Sequence, residues 1–213
     1  MISGSGPGCG KTMVGCALAF AFKVRGMRVG VMKPVANGCH ERDGVLVAED
    51  AEALRAAASS EDALELISPC RYPSRVAPYA DVEGVLPERA RIEDAYVRIS
   101  THCEVMIVEE TDSLAAPICP GWSYADLARG RGLELIVVAA NRPGFIGATA
   151  LVCGYAKCRR IPVRGFILNS LTLEASNNAL ANAEIVTRMV GVPCLGTVRF
   201  KEPLALAIVE SLL

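Results

Sequence analysis

The sequence predicts a doubly wound α/β domain, with a mainly parallel sheet and helices on both faces. Three observations carry that prediction. Short apolar runs alternate with helical patterns along all 213 residues, the signature of a sheet built from strand–helix–strand units. A glycine-rich run, Gly4-Ser5-Gly6-Pro7-Gly8-Cys9-Gly10, joins the first apolar run to a helix. Polar residues then follow directly on the apolar runs, at Lys33, Glu109, Glu110 and Asn169, where open α/β sheets bind their ligands.

The elements follow in order. The first strand is Met1 to Ser3, shorter than the roughly five residues usual for a core strand, so either the chain has a start further upstream or half of a central strand has been lost. A helix over Lys11 to Arg25 ends at Gly26, and a strand over Arg28 to Lys33 follows. Glu49 to Ala58 reads as a helix whose acidic first turn suits the helix dipole. Next come a helix over Ile92 to Thr101, a strand over Val105 to Glu109 and a helix over Tyr124 to Arg129. The last part alternates a strand (Glu134 to Ala140), a helix (Ile146 to Lys157), a strand (Val163 to Asn169), a helix (Asn177 to Val190, closed by Gly191) and a strand (Cys194 to Val198). Length and even composition point to a single domain spanning 1–213.

Composition excludes several function classes. A formal net charge of −1, with the 22 Lys and Arg spread along the chain, gives no nucleic-acid footprint. The longest apolar runs are too short to span a bilayer, and the N-terminus does not resemble a signal peptide, so a cytoplasmic protein with no membrane partner is expected. Nine cysteines without a Cys-x-x-Cys pair, and only two histidines, argue against a zinc or iron–sulfur site. They read as buried thiols, with Cys9 at a helix N-terminus the one to watch for reactivity.

The glycine run ends in Gly10-Lys11-Thr12. Glycines let backbone N–H groups converge on phosphate oxygens, the helix N-terminus adds its dipole, Lys11 supplies a point charge and Thr12 offers a hydroxyl to Mg²⁺. The reading is a P-loop NTPase-like fold. Its loop is deviant, because the Walker A spacing would put a glycine at Ser5, and the glycine lies one step earlier, at Gly4. Taken singly, Asp50 is an ordinary acid at a helix start and Lys33 a surface lysine before a proline turn. A carboxylate such as Glu109, ending an apolar strand beside a phosphate loop, is less easily given a purely structural role.

Together, these segments resemble the dethiobiotin synthetase family over nearly the whole chain. Gly4 to Thr12 aligns without gaps on the family's Gly-Thr-Asp-Thr-x-x-Gly-Lys-Thr loop, which has the same wide spacing. Lys33-Pro34-Val35-Ala36-Asn37-Gly38-Cys39 is similar to its Lys-Pro-Val-Glu-Thr-Gly-Cys segment, and Asp50 to the acid that opens the next helix. Val108-Glu109, Tyr124-Ala125-Asp126 and Phe166-Ile167-Leu168-Asn169 complete the series. The resemblance implies an ATP- and Mg²⁺-dependent cyclo-ligase that makes a cyclic urea from 7,8-diaminononanoate and CO₂ through a phosphorylated carbamate. It implies Lys11, Lys33 and Thr12 as catalytic groups, and Gly6, Gly8, Cys9, Gly10, Lys11, Thr12 and Asn169 as nucleotide-binding residues, with Asn169 reading adenine. It also implies Thr12, Asp50 and Glu109 as Mg²⁺ ligands, and a homodimer whose interface completes the diamine site.

The sequence also departs from the family pattern. Gly6 and Pro7 replace the loop's Asp and Thr, and Pro7 removes an N–H. Asn37 stands for a Thr. Glu110-Thr111-Asp112-Ser113 replaces a glycine-rich turn, placing two extra carboxylates where bare backbone would approach the substrate. Pro143-Gly144-Phe145-Ile146-Gly147 keeps a helix N-terminus but loses the Asn implied to hold the substrate carboxylate. A nucleotide-binding paralogue acting as a binding or regulatory module is therefore the alternative. A partitioning-type ATPase is disfavoured, because no lysine precedes Lys11 in the loop.

Overall fold

The computed structural model describes residues 1–76, 85–202 and Ile208. In chain order the elements are β1 (Ile2–Gly4), α1 (Lys11–Val24), β2 (Val29–Met32), β3 (Val35–Ala36), β4 (His40–Arg42), β5 (Val45–Val47), α2 (Glu49–Ala58), α3 (Leu64–Ile67), β6 (Cys70–Arg71) and α4 (Arg89–Ser100). They continue with β7 (Val105–Val108), β8 (Pro117–Cys119), β9 (Trp122–Ser123), α5 (Tyr124–Gly130), β10 (Leu135–Ala140), α6 (Phe145–Cys158), β11 (Val163–Asn169), α7 (Leu173–Asn177), α8 (Ala179–Val190) and β12 (Cys194–Val198). Each strand and helix expected from the sequence is present to within a few residues.

The described residues form two compact units. The first contains Met1–Val14, Asp112–Ala115 and the described residues from Ala125 onward. Its four strands run parallel in the order β1-β10-β11-β12. Register fixes where the strand ends meet: Gly4 pairs with Val138, Ala140 with Asn169, and Asn169 with Val198. Apolar side chains of β10 and β11 (Val137, Ala139, Phe166, Leu168) pack against Phe145 and Cys153 of α6 and Ala179, Ala183 and Val186 of α8. All nine are buried, so this face is covered by two helices as the alternating sequence requires.

The second unit contains Gly15–Thr111 and Ala116–Tyr124. Here β2 and β7 form a parallel ladder with Met32 opposite Val108, so the residues that follow the two strands, Lys33 and Glu109, emerge side by side. Buried Ala51 and Leu54 of α2 and Ile92, Ala95 and Ile99 of α4 supply this unit's core.

Several smaller elements were not foreseen. β3 pairs with β6, and β4 with β5 in an antiparallel hairpin. That hairpin had a local signal: Asp43 and Gly44 both take positive φ, 53° and 77°, as an Asp-Gly type I′ turn demands. The helix expected over Asn177 to Val190 is interrupted at Asn178, the C-cap of α7 and N-cap of α8, and α7 is started by Thr172, whose hydroxyl accepts from the Ala175 N–H at 3.2 Å.

Phe166 is fully buried between β11 and the two helices. Phe166→Ala is expected to lower unfolding free energy by about 3–5 kcal/mol, seen as a lower urea midpoint with an unchanged slope.

Candidate functional site

The phosphate loop leaves β1 at Gly4 and enters α1 at Lys11, and its shape is set by contacts to neighbouring strand ends in the first unit. The Ser5 N–H donates to Val138 O at 2.9 Å, and the Ser5 hydroxyl accepts from the Ala140 N–H at 3.1 Å. Asn169 Nδ2 donates to Cys9 O at 2.9 Å, and an Arg142 guanidinium nitrogen donates to Pro7 O at 3.3 Å. Pro7 and Gly8 form the exposed crest of the loop.

Steric limits explain two of the glycines. A Cβ on Gly4 would overlap Cys9 Sγ and come within 3.1 Å of the Lys11 side chain. Gly10 has φ +97°, and a Cβ there would collide with the Asn169 amide. Cys9 is fully buried, so its thiol fills the base of the loop and is not presented to solvent, contrary to the reactivity expected from a helix N-terminus. Lys11 is only 7% exposed, and its ammonium donates to the Asp112 backbone carbonyl at 3.4 Å. The segment after β7 thus offers Lys11 a carbonyl oxygen.

The same unit holds a cavity of about 620 Å³ lined by Arg142, Phe145, Ile146, Leu171, Asn178 and Asn182, among others. It opens at the start of α6, whose N-cap Gly144 supplies no side-chain hydrogen bond. The sequence located this helix start; the cavity beside it depends on Leu171, Asn178 and Asn182, which only the packing of the α7–α8 segment brings there. Asn141 fixes that segment, donating to Ala175 O at 2.7 Å and accepting from Asn182 Nδ2 at 2.8 Å.

The second unit carries the other chemical cluster. The Lys33 ammonium donates to Glu109 Oε1 at 2.7 Å and to Asp50 Oδ2. Lys33 is 4% exposed and Glu109 1%, whereas the Asp50 side chain is about half exposed. Burial alone would lower the lysine pKa, but the charges of Glu109 and then Asp50 outweigh it and hold the ammonium above its ordinary value. Cys16, in the helix after the loop, responds to the same carboxylates: burial first, then Glu109 and Asp50, push its thiol up to about 11. It is therefore an inert thiol at neutral pH.

One of the two extra acids after β7 is turned inward. Glu110 is completely buried, and the adjacent Thr111 hydroxyl donates to Val35 O while accepting from the Tyr124 hydroxyl at 3.1 Å. Burial raises the Tyr124 pKa, so this phenol remains a neutral donor. The segment that replaces a glycine-rich turn is thus partly folded into the interior. Asn37 is half-buried, with its Oδ1 buried and lacking a hydrogen-bond partner.

Among the described residues no three His, Cys, Asp or Glu side chains form a metal-holding cluster. Asp50 and Glu109 nevertheless converge on one point, at the Lys33 ammonium. The two carboxylates are hard oxygen donors of the kind Mg²⁺ takes, and the lysine ammonium holds the point they share.

Comparison with known proteins gives this geometry a family. Residues 1–206 match a family described as an AAA domain. The ATP-dependent dethiobiotin synthetase BioD of Thermodesulfovibrio yellowstonii is 30% identical over 92% of this chain and 85% of its own. The enzyme of the same name from Aromatoleum aromaticum is 35% identical, over 92% and 88%. The chain belongs to the dethiobiotin synthetase family. Solved structures share its fold at lower identity: the MinC:MinD cell division complex of Aquifex aeolicus (13% identity, TM-score 0.57, 99% of this chain and 84% of that one) and a ParA family ATPase of Chlorobium tepidum (16%, 0.56, 99% and 86%). At that identity they bear on the α/β P-loop architecture alone.

For this dethiobiotin synthetase family member, the Lys33 pairs make a prediction about stability. Lys33→Met leaves buried Glu109 without its cation and is expected to cost about 3 kcal/mol at neutral pH. The lysine pKa is raised above 10.5 in the folded chain, so the wild-type advantage is fully present below that pH and shrinks as pH rises through the folded value. Thermal melts of the two proteins from pH 7 to 11 measure it.

Proposed function

We propose that this protein is an ATP- and Mg²⁺-dependent cyclo-ligase that forms the cyclic urea of dethiobiotin from 7,8-diaminononanoate and CO₂. The observation that carries the reading is that one family member has both a phosphate loop ending at buried Lys11 and a buried Lys33 braced by two carboxylates. We assign Gly6, Gly8, Cys9, Gly10, Lys11 and Thr12 to the triphosphate, and Asn169 to the nucleotide. Thr12, Asp50 and Glu109 are the residues that would hold Mg²⁺. When bound, the ion would neutralise negative charge on the phosphates of the nucleotide.

In this reading one amine of the diamine adds to CO₂, releasing a proton and leaving a carbamate anion. The carbamate oxygen takes the γ-phosphoryl group of ATP, with ADP as leaving group. The second amine then attacks the carbamoyl carbon and loses a proton, the new C–N bond closing the ring as the C–O bond to phosphate breaks. Negative charge develops first on the carbamate and then on the transferring phosphoryl group, and Lys11 and Lys33 are the cations that stabilise it. Both are buried, so their charges are screened less by water than surface lysines would be. The Asn37 Oδ1 is an acceptor suited to a substrate N–H. The helix start at Gly144, without a side-chain cap, suits the substrate carboxylate.

We further propose that the two units act as one domain and that the chain works as a cytoplasmic homodimer. Leu151, Leu173 and Leu180 are each more than two-thirds exposed, a cost that subunit association would remove. Among the described residues no helix is long and apolar enough to cross a membrane.

Protein incubated with ATP, Mg²⁺, bicarbonate and the diamine should yield the cyclic urea by mass spectrometry, with one phosphate released per ring. Chelation of Mg²⁺ should abolish turnover, and Lys11→Ala or Lys33→Ala should lower kcat by at least about a hundredfold. ATP binding without product at saturating diamine would replace the ligase reading with that of a nucleotide-binding module.

A further inference from the structure

We infer that Asn169 is a positioning residue for the phosphate loop, in addition to any contact it makes with the base. The inference rests on the nucleotide-binding reading of that loop. Asn169 is the last residue of β11 and is 5% exposed. Its Nδ2 reaches across to the main chain of the loop and donates to Cys9 O at 2.9 Å. That carbonyl lies two residues before Lys11, in the stretch where the backbone turns into α1.

Three further observations make this contact a constraint on the loop. The same amide lies so close to Gly10 that any Cβ there would collide with it, so the side chain occupies the space against the Gly10 backbone as well. Cys9 is held from the other side, with its buried Sγ packed against Gly4. The Asn169 main chain is fixed too: its carbonyl accepts from the Asn141 N–H at 2.8 Å, and it is in register with Ala140 and Val198 on the flanking strands. Asn169 thus ties the loop to a rigid interior strand. Loss of the donor would remove this hydrogen bond and loosen the Cys9–Gly10 peptide, and the N–H groups and Lys11 would lose the arrangement that phosphate binding needs.

A residue that only reads the base and one that fixes the loop differ in a measurable way. Inorganic tripolyphosphate has no base. Titration of the full chain with MgATP and with magnesium tripolyphosphate should show Asn169→Ala weakening tripolyphosphate binding about tenfold and MgATP binding at least as much. In the ligand-free protein, loop amides of residues 5–12 should exchange with deuterium faster in Asn169→Ala than in wild type. Weakened ATP binding with unchanged tripolyphosphate binding would overturn the inference. Should the alanine variant fail to fold, Asn169→Leu approximates the side-chain shape but has no group that can donate to Cys9 O. Ligand-free loop exchange in that variant should also rise, and exchange equal to wild type would count against the tie. A wild type that binds neither ligand would overturn the nucleotide reading instead, while the exchange measurement would still decide whether Asn169 holds the loop.

Discussion

The tether between the glycine loop and the ends of the parallel strands is the constraint on which the candidate site of the first unit depends. A loop made of Gly6, Pro7 and Gly8 has little side-chain chemistry and much conformational entropy, so left alone it would hold no single shape. Its shape comes from outside. Ser5 binds β10 through both its N–H and its hydroxyl, Asn169 holds Cys9, and the Arg142 guanidinium meets the Pro7 carbonyl. These partners come from β10, β11 and the turn after β10, which only the parallel register of the sheet brings together. Preorganisation of this kind lowers the entropy that binding must supply.

The Lys33 cluster answers a different physical demand. A buried ammonium is costly unless it is paired, and here it meets the fully buried carboxylate of Glu109 and the half-exposed carboxylate of Asp50. The parallel pairing of β2 with β7 sets Lys33 beside Glu109, and the acidic first turn of α2 supplies Asp50. One residue therefore serves two ends: Asp50 complements the dipole of α2 and also closes the lysine cage. The raised lysine pKa keeps the ammonium charged across the neutral range.

Much of this was legible in the sequence because the signals were local. The glycine run, the apolar strands and the polar residue just past each strand follow from backbone sterics and periodicity, and they led directly to Lys11, Lys33, Glu109 and Asn169. The Asp43-Gly44 hairpin carried an equally local signal that went unread. The burial of Glu110 was different. Read in line, Glu110 and Asp112 are two acids beside a phosphate loop; folded, Glu110 is interior and Asp112 offers Lys11 a backbone carbonyl. No local pattern distinguishes an acid turned inward from one turned outward, because that depends on what packs against it.

The sequence by itself determined the α/β class, the order of the main strands and helices, the family and the identity of the charged groups, since each is written in spacing and residue type. Tertiary structure alone decided that Asn169 grips the loop at Cys9, that Lys33 lies between Glu109 and Asp50, and that Cys9 and Cys16 are respectively buried and held as a neutral thiol. The reason is the range of the forces involved. Helix and strand formation is settled within a few residues, whereas a hydrogen bond spanning 160 positions or a shifted pKa exists only once distant segments have been packed together and water excluded.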